Sequence, residues 1–296
     1  MSIILSAMPY KNRYYILRLM GACNNNCKIC MVSQEIKKSS HMPLSLMLNK
    51  IKLQKKGTTI DFFGGEPTLH PFFMKALEFT RERGFSATIA TNGRMFFYDD
   101  YVKKIARLGV ESIRVSLYGN TAKIHDYITN SEGSFDQTIM GLRNIVRNKI
   151  AVRVNIVVTK LNYKHLKEIV VLLRSIGVRM IKFSNLSISG NLLKNKALIP
   201  DLEKVKPCLE SAVRYSRKKK MSVYIEKTPL CLLPELHKKI FIWEPDAGED
   251  KRAKLKECRD CFCKNNCSWR PTGYPYKTYW VSPIGKFNKG FPVLQN

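Results

Sequence analysis

Residues 14–30 read YYILRLMGACNNNCKIC, an apolar stretch that runs directly into three closely spaced cysteines. Tyr14–Met20 has the alternation and β-branched content of a strand. Cys23, Cys27 and Cys30 follow it on a loop with the spacing Cys-x3-Cys-x2-Cys. Three thiolates this close can converge on one metal centre, and thiolates favour zinc or an iron–sulfur cluster. Three is one ligand fewer than usual, so the pattern leaves two interpretations: an open cluster, or a zinc site completed by a distant histidine.

A second motif follows the next predicted strand. Thr58–Phe63 is succeeded by Gly64-Gly65-Glu66-Pro67. Paired glycines at the end of a strand let a small charged ligand approach the backbone, and a carboxylate beside them suits a cationic amine. Taken alone, the motif is equally typical of an ordinary strand-to-helix turn, with Pro67 opening the helix.

Short β-branched runs alternate with helix-like segments along most of the chain, which predicts an α/β fold with a parallel sheet forming an open or closed barrel. The six predicted strands are Tyr14–Met20, Thr58–Phe63, Ser86–Ala90, Ser112–Leu117, Val152–Thr159 and Arg179–Phe183, with a further candidate at Met221–Lys227. The predicted helices are His70–Glu82, Gln137–Asn148, Tyr163–Ser175 and Pro200–Met221, the third ending at a Gly177 cap.

Composition narrows the class of protein. The chain has 296 residues, 45% of them hydrophobic, which excludes disorder for the bulk. No apolar run reaches the ~18 residues of a membrane span, and no charged start precedes the short apolar stretch at the N-terminus. We therefore expect neither membrane insertion nor export, but a cytoplasmic protein. Nine cysteines in such a chain favour metal or redox chemistry over disulfides. The net charge of +28 favours an acidic partner, such as nucleic acid, an anionic cofactor or an acidic peptide.

The two motifs together resemble the radical S-adenosylmethionine (SAM) superfamily over about residues 10–225. The resemblance implies that Cys23, Cys27 and Cys30 ligate a [4Fe-4S] cluster whose fourth iron is chelated by SAM. It implies that reduction cleaves SAM to methionine and a 5′-deoxyadenosyl radical, which abstracts hydrogen from a substrate. Gly64, Gly65 and Glu66 match the motif that receives the methionyl amine.

Other matches to the superfamily are weaker. Thr91-Asn92-Gly93 ends the third strand, and Ser116 ends the fourth, where polar residues meet the ribose or carboxylate of SAM in this family. Arg153 and Asn155 on the fifth strand are further possible contacts. The segment His125–Ile128 followed by Gly133–Phe135 resembles the family's loop after strand four. We expect all candidate site residues at the carboxyl ends of their strands. Ile29 departs from the family, which usually has an aromatic residue before the third cysteine.

The chain divides into a partial (β/α)6 TIM-like barrel over residues 1–225 and a small cysteine-rich C-terminal extension over residues 226–296. The extension contains Cys258-x2-Cys261-x5-Cys267 and resembles the SPASM and Twitch auxiliary-cluster regions of the superfamily. The resemblance implies a second [4Fe-4S] cluster, with zinc as the competing occupant. The predicted ligands are Cys231, Cys258, Cys261 and Cys267. Cys263 is a possible replacement, and Cys208, within the long helix, is predicted to be an apolar core residue.

Substrate and partners follow from the same resemblance. Auxiliary-cluster enzymes of this kind modify peptides and proteins, so a peptide or protein substrate is the leading hypothesis. An RNA substrate is kept open by the basic charge, and a small metabolite or cofactor precursor is a further alternative. The resemblance implies an electron donor such as flavodoxin or ferredoxin and no membrane partner. The sequence makes no prediction of the oligomeric state.

Overall fold

The computed structural model describes residues 14–31, 41–229 and 241–242. Its framework is a parallel sheet of eight strands, each hydrogen-bonded to the next in chain order from β1 to β8. The sheet is open, because β1 and β8 form its two ends. The strands are β1 (Tyr14–Arg18), β2 (Thr59–Phe63), β3 (Ser86–Thr91), β4 (Ser112–Ser116), β5 (Val152–Val157), β6 (Met180–Ser184), β7 (Ser222–Glu226) and β8 (Phe241–Ile242).

Helices cross over between successive strands, as parallel pairing requires. The α-helices in the described ranges are α1 (Leu44–Lys52), α2 (Phe73–Glu82), α3 (Asp99–Arg107), α4 (Ala122–Thr129), α5 (Ser134–Arg147), α6 (Leu166–Ile176) and α7 (Leu202–Lys218). Short 3₁₀ turns occupy Pro67–Leu69, Arg94–Phe97, Tyr163–His165, Gly190–Lys194 and Lys196–Leu198. Gly177 ends α6 in the left-handed conformation, as predicted.

The predicted α/β fold with an open parallel sheet is confirmed. All six predicted strands form, and the candidate at Met221–Lys227 is β7. The four predicted helices also form, with ends shifted by up to three residues. Three helices that the periodicity did not reveal (α1, α3 and α4) lie between the predicted elements. Each has nine residues or fewer, which is too short to establish a clear helical period.

One large apolar core lies between the sheet and the helices. Ile60, Phe62, Ile89 and Val154 contribute from the strands and are inaccessible to solvent. Many strand positions that alternate with this core face carry polar residues, among them Asp61, Arg114 and Lys182, whereas a closed α/β barrel normally fills its interior with branched apolar chains. The sheet therefore leaves a polar interior on the side away from the helices.

Two buried ion pairs occupy that interior. Arg114 on β4 lies 2.6 Å from the Asp61 carboxylate on β2, which also accepts a hydrogen bond from Thr88 at 2.7 Å. Lys182 on β6 contacts Glu226 on β7 at 2.7 Å. Both pairs join different strands, so they fix the relative positions of the strands from the inside.

A second, smaller core lies beneath the cysteine loop. It is formed by Ile29 from the loop, Ile128 from α4, and Leu186, Leu192 and Leu198 from the segment after β6. Burying an aliphatic side chain of this size contributes roughly 1.5–3 kcal/mol. This core holds the loop, α4 and the 3₁₀ turns at 190–198 together as one unit.

The predicted domain boundary near residue 225 falls at the end of β7, and β8 continues the same sheet beyond it. The cysteines of the predicted extension (Cys231, Cys258, Cys261, Cys263 and Cys267) lie outside the described residues. No helix in the described ranges is long and apolar enough to cross a membrane.

Candidate active site

The carboxyl edge of the sheet brings the two motifs together. The cysteine loop follows β1, the Gly64–Glu66 turn follows β2, and Asn92 follows β3. Because β1 and β2 are neighbours with Arg18 opposite Phe63, their two loops leave the sheet side by side. Parallel strands place all such loops at one edge, where α/β barrels build their active sites.

Main-chain hydrogen bonds join the glycine turn to the start of the cysteine loop. The Gly65 N–H donates to the Met20 carbonyl at 2.8 Å, and the Glu66 N–H donates to the Ala22 carbonyl at 2.9 Å. A Cβ atom on Gly65 would lie 2.3 Å from the Ala22 carbonyl oxygen, and one on Gly64 would lie 2.6 Å from that of Met20. The approach of the two backbones therefore requires glycine at both positions.

Glu66 is completely buried, and its carboxylate is used by the protein itself. One oxygen accepts hydrogen bonds from the Thr68 N–H at 3.2 Å, the Thr68 hydroxyl at 2.6 Å and the Thr91 hydroxyl at 2.8 Å. The other accepts from the Asn92 N–H at 2.7 Å. Burial raises the pKa of the Glu66 carboxyl, and these donors oppose that rise. The side chain thus ties the end of β2 to the end of β3.

The main-chain carbonyls of Gly64 and Gly65 are in a different situation. Within the described ranges, no residue donates a hydrogen bond to either oxygen. They are acceptors at the same edge as the cysteine loop. The Glu66 carboxylate, by contrast, is buried and already accepts hydrogen bonds from Thr68, Thr91 and Asn92.

Asn92 connects the third strand to the first cysteine. Its amide nitrogen donates to the Asn24 side-chain oxygen at 2.6 Å and lies 3.8 Å from the Cys23 sulfur. The Asn25 N–H also points at that sulfur, at 3.4 Å. N–H groups directed at a sulfur stabilise a thiolate and tune the reduction potential of a cluster bound to it.

Arg94, which the sequence reasoning missed, holds the same part of the loop. Its guanidinium donates to the Asn24 carbonyl, to the Asn25 side-chain oxygen at 2.8 Å and to Gln137 on α5 at 2.6 Å. A planar guanidinium can make several such bonds at fixed angles. Arg94 therefore links the cysteine loop to the helix layer.

The second half of the cysteine loop is held from two other elements. From α4, the carbonyls of Thr129 and Ile128 accept hydrogen bonds from the Asn26 and Lys28 N–H groups, at 3.0 and 2.9 Å. From the turn at 190, the Asn191 side chain donates to the Cys27 carbonyl at 2.8 Å.

The Asn191 N–H donates to the Cys30 carbonyl at 2.9 Å. A Cβ on Gly190 would lie 2.2 Å from that same carbonyl. Gly190 and Asn191 were not identified from the sequence. Nothing in a single sequence marks a contact across about 160 residues.

The chemistry of the three thiols suits a metal centre. All three are partly buried. Burial raises the pKa of Cys23 to about 11, and it raises that of Cys27 further, with Cys23 and Cys30 adding to the rise. A raised pKa favours the protonated form of these two thiols, so metal binding must release their protons. In the described part of the chain no three His, Cys, Asp or Glu side chains converge on a single ion. An open three-cysteine loop fits a multi-iron cluster better than a closed mononuclear zinc site.

The remaining predicted residues divide into two groups. Ser116 and Asn155 are register partners at the carboxyl ends of β4 and β5. The side-chain oxygen of Asn155 is buried and has no hydrogen-bond partner among the described residues. Arg153 lies near the start of β5, where its guanidinium lies 5.6 Å from the Tyr224 ring centroid. The expectation that every candidate lies at a carboxyl end is wrong for Arg153, because its strand begins only one residue before it.

The segment predicted as a loop after strand four is helical. His125–Ile128 lies within α4, and Asp126 caps α5 by accepting hydrogen bonds from the Gly133 and Phe135 N–H groups at 2.9 and 2.7 Å. Ile29, which stands where an aromatic residue was expected, packs in the small core beneath the loop. Cys208, predicted as an apolar core residue, is only partly buried in α7.

Comparison with known families agrees with this site. The model of the Radical SAM superfamily matches residues 17–173, more than half of the chain. The chain belongs to the radical SAM superfamily. It is therefore an enzyme of a family that uses a [4Fe-4S] cluster and SAM and needs an electron donor. The matched range contains both motifs, the last two residues of β1 and all of β2–β5.

Curated relatives differ in the substrates they are named for. The tungsten-containing aldehyde ferredoxin oxidoreductase cofactor-modifying protein of Pyrococcus furiosus is 29% identical over 184 residues, covering 59% of this chain and 51% of the relative. The mycofactocin maturase MftC of Mycobacterium tuberculosis is 26% identical over 165 residues, covering 55% of this chain and 42% of the relative. The chain thus spans about half or less of the length of these relatives.

A solved structure shares the fold. Streptococcus suis SuiB bound to precursor peptide SuiA superimposes with a TM-score of 0.61 at 19% identity, covering 76% of this chain and 51% of that chain. At this level of identity the likeness establishes the partial-barrel architecture alone.

Proposed function

We propose that this chain reductively cleaves SAM and uses the resulting radical to modify a peptide or protein. The observation that carries the proposal is the junction at the carboxyl edge, where main-chain hydrogen bonds join the cysteine loop to the Gly64–Glu66 turn. The junction supports the proposal because it joins the loop that carries the three candidate cluster ligands to the turn that carries the candidate acceptors of the methionyl amine.

Cys23, Cys27 and Cys30 would hold the [4Fe-4S] cluster. Such a cluster, when reduced, would supply the electron for cleavage of SAM to methionine and a 5′-deoxyadenosyl radical, which would take hydrogen from the substrate. The carbonyls of Gly64 and Gly65 would accept hydrogen bonds from the methionyl amine. Glu66 would hold that turn in place from below.

Other residues at the edge would orient SAM. Asn92 would act through the loop, because its side chain already bonds Asn24 and points at Cys23. Ser116 and Asn155 lie side by side, and the unpaired Asn155 oxygen is available to a ligand hydroxyl, such as that of a ribose. Arg153 is not included, because it lies away from this edge.

The C-terminal cysteines would supply an auxiliary centre. Cys231, Cys258, Cys261 and Cys267 would ligate a second [4Fe-4S] cluster, for which zinc is the alternative occupant. Four thiolates complete either site. Such a cluster would exchange electrons with the substrate radical or bind the substrate directly.

The peptide substrate is supported by the relationship to a maturase, MftC, and by the charge of +28, which suits an acidic peptide. A second candidate is the modification of a cofactor precursor. It is supported by the name of the Pyrococcus furiosus relative, which is more similar to this chain in identity and coverage.

Deuterium transfer distinguishes these substrate classes. Cells of the source organism grown in D2O provide peptide, protein, small-molecule and RNA fractions whose carbon-bound hydrogens are deuterium. Each fraction is added anaerobically to the reconstituted enzyme with SAM and dithionite, and 5′-deoxyadenosine is analysed by mass spectrometry. We expect a gain of one mass unit with the peptide or protein fraction. A gain confined to the small-molecule fraction would establish the cofactor candidate, and a gain confined to RNA would contradict both.

A further inference from the structure

The cysteine loop has an outer surface that the proposed chemistry does not use. The small core of Ile29, Ile128 and Leu192 packs the loop between α4 and the turns at 190–198. These three segments are therefore neighbours, and their exposed residues are called the outer face of the cysteine loop.

Lysines dominate this face. Lys28 lies between the second and third cysteines, Lys123 is exposed on α4, and Lys194 and Lys196 are exposed in the turns. Within the described segments 23–31, 122–130 and 187–199, one residue is acidic, Asp126. It is engaged in capping α5. Asp126 keeps its negative charge in these hydrogen bonds, but the four lysines outnumber it, so the face is positive overall.

Exposed apolar side chains lie among the lysines. Tyr127 is 54% exposed and Leu193 is 47% exposed, although the neighbouring Leu192 is fully buried. The Lys28 ammonium lies 4.8 Å from the centroid of the Tyr127 ring. Tyr127 lies four residues after Lys123 on α4 and so shares its face. An aromatic and an aliphatic side chain surrounded by charges are typical of a protein interface with a small hot spot and a polar rim.

We propose that this docking patch, formed by Lys28, Lys123, Tyr127, Leu193, Lys194 and Lys196, binds a small acidic protein that delivers single electrons, of the flavin or iron–sulfur class. The inference rests on the proposed function. In the productive complex the donor loses one electron, and the cluster bound by the three cysteines gains it. No proton or other group is transferred in this step.

We expect an acidic partner because its charge is opposite to that of the docking patch. We expect an electron carrier because the patch lies next to the predicted cluster ligands. Opposite charges steer encounter and make association depend on salt. Lys28 is flanked within the chain by two predicted cluster ligands, so a protein seated on the patch is separated from the cluster by the loop alone.

The test compares two triple variants with the same change in net charge. Lys123→Glu/Lys194→Glu/Lys196→Glu alters the patch without touching the cysteine loop. Lys52→Glu/Lys55→Glu/Lys56→Glu is the control, because these exposed lysines end α1 and precede β2, at the opposite edge of the sheet. All six side chains are exposed, so both variants should fold.

The measurement is the anaerobic dissociation constant of purified reduced flavodoxin for each reconstituted protein, at low and moderate salt. We expect the patch variant to weaken binding at least about tenfold and to flatten its salt dependence, and the control to change it about twofold or less. Equal weakening in both variants, or none in the patch variant, would overturn the proposal. So would a patch variant that loses bulk tRNA binding but keeps flavodoxin binding.

Dithionite separates this inference from the proposed function. It reduces the cluster without a protein donor, so both triple variants should form 5′-deoxyadenosine from SAM at the wild-type rate. If wild type forms none with dithionite, the proposed function fails, whatever the flavodoxin affinities show. If all three proteins form it but bind flavodoxin equally, the docking patch alone fails.

Discussion

Close approach of two backbones is the residue-scale feature on which the site depends. Gly64 and Gly65 let the turn after β2 lie against the cysteine loop, and Glu66 anchors the turn from beneath. The carboxylate is completely buried and accepts hydrogen bonds within the protein, so we propose that it positions the turn.

Gly65→Ala tests whether the site depends on the close approach of the two backbones. A Cβ atom 2.3 Å from the Ala22 carbonyl forces the two loops apart, which should cost about 1–3 kcal/mol of stability. We expect a lower thermal midpoint and poorer iron retention after reconstitution. Ser86→Ala is the control, because Ser86 is exposed at the start of β3 and the change adds no atom. Equal behaviour of the two variants would show that the close approach is unimportant.

His125 should make the fold sensitive to acid. It is buried, its Nδ1 accepts a hydrogen bond from the Tyr118 N–H at 3.2 Å, and burial, aided by Arg94 and opposed by Asp126, lowers its pKa to about 4. The unfolded chain takes up a proton near pH 6.5 and the folded chain does not, so stability falls as the pH drops between these values. Because His125 stays neutral in the folded protein, the free energy of unfolding should fall by about 2 kcal/mol between about pH 7 and about pH 5.

Chemical denaturation of wild type and His125→Asn at the two pH values measures the contribution of His125 to the pH dependence of stability. Asparagine can still accept the Tyr118 hydrogen bond but does not titrate. We expect the variant to lose less stability on acidification than wild type does. An identical loss in both would assign the pH dependence to other groups.

Residue-level prediction from the sequence succeeded where the chemistry is local. Three cysteines within eight residues and a Gly-Gly-Glu run are visible without a fold. Arg94 and Asn191 were missed because their partners in the cysteine loop lie about 70 and about 160 residues away. A polar residue with a distant partner looks like any solvated surface residue.

At the scale of elements, the cysteine loop is held by four neighbours: the turn after β3, α4, the turns at 190–198 and the turn after β2. Arg94 makes the most contacts from the first of these, since it reaches the Asn24 carbonyl, the Asn25 side chain and Gln137 on α5. These contacts join the loop to the body of the protein.

Arg94→Gln should loosen the loop and change the cluster it would hold. Leaving buried acceptors unpaired costs about 1–3 kcal/mol, and removing a positive charge beside the cluster should make its reduction potential more negative. Arg94→Lys keeps the charge, so its potential should stay closer to wild type. Arg143→Gln, exposed on α5, is the control. An EPR-monitored redox titration gives the potentials. Equal potentials in Arg94→Gln, Arg94→Lys and Arg143→Gln would contradict a role for Arg94.

Element prediction depended on periodicity. All strands of five residues or more were found, because alternating β-branched runs are distinctive. α3 and α4 were missed, since each offers few apolar positions over nine and eight residues. β8, with two residues, has no period to read.

At the scale of the whole molecule, the open sheet leaves the carboxyl edge as the shared site and continues past residue 225 into the cysteine-rich segment. That continuity is not visible in the composition, which changes sharply there. The auxiliary centre stays a prediction.

Iron and zinc analysis of the reconstituted chain tests the auxiliary centre. We expect about eight irons per chain if Cys231, Cys258, Cys261 and Cys267 hold a second cubane. Cys261→Ala should lose about four of them and keep SAM cleavage, while losing substrate turnover. About four irons with one zinc in wild type would establish the zinc alternative.

Formation of 5′-deoxyadenosine is the most direct test of the central claim, that the cysteine loop and the glycine turn form a SAM-cleaving site. The protein is reconstituted anaerobically with iron and sulfide, reduced with dithionite and given SAM, and the product is quantified by mass spectrometry. We predict product from wild type and from Cys208→Ala, and none from Cys27→Ala. Fully loaded wild-type protein that forms no 5′-deoxyadenosine, or a Cys27→Ala variant that forms as much as wild type, would contradict the claim.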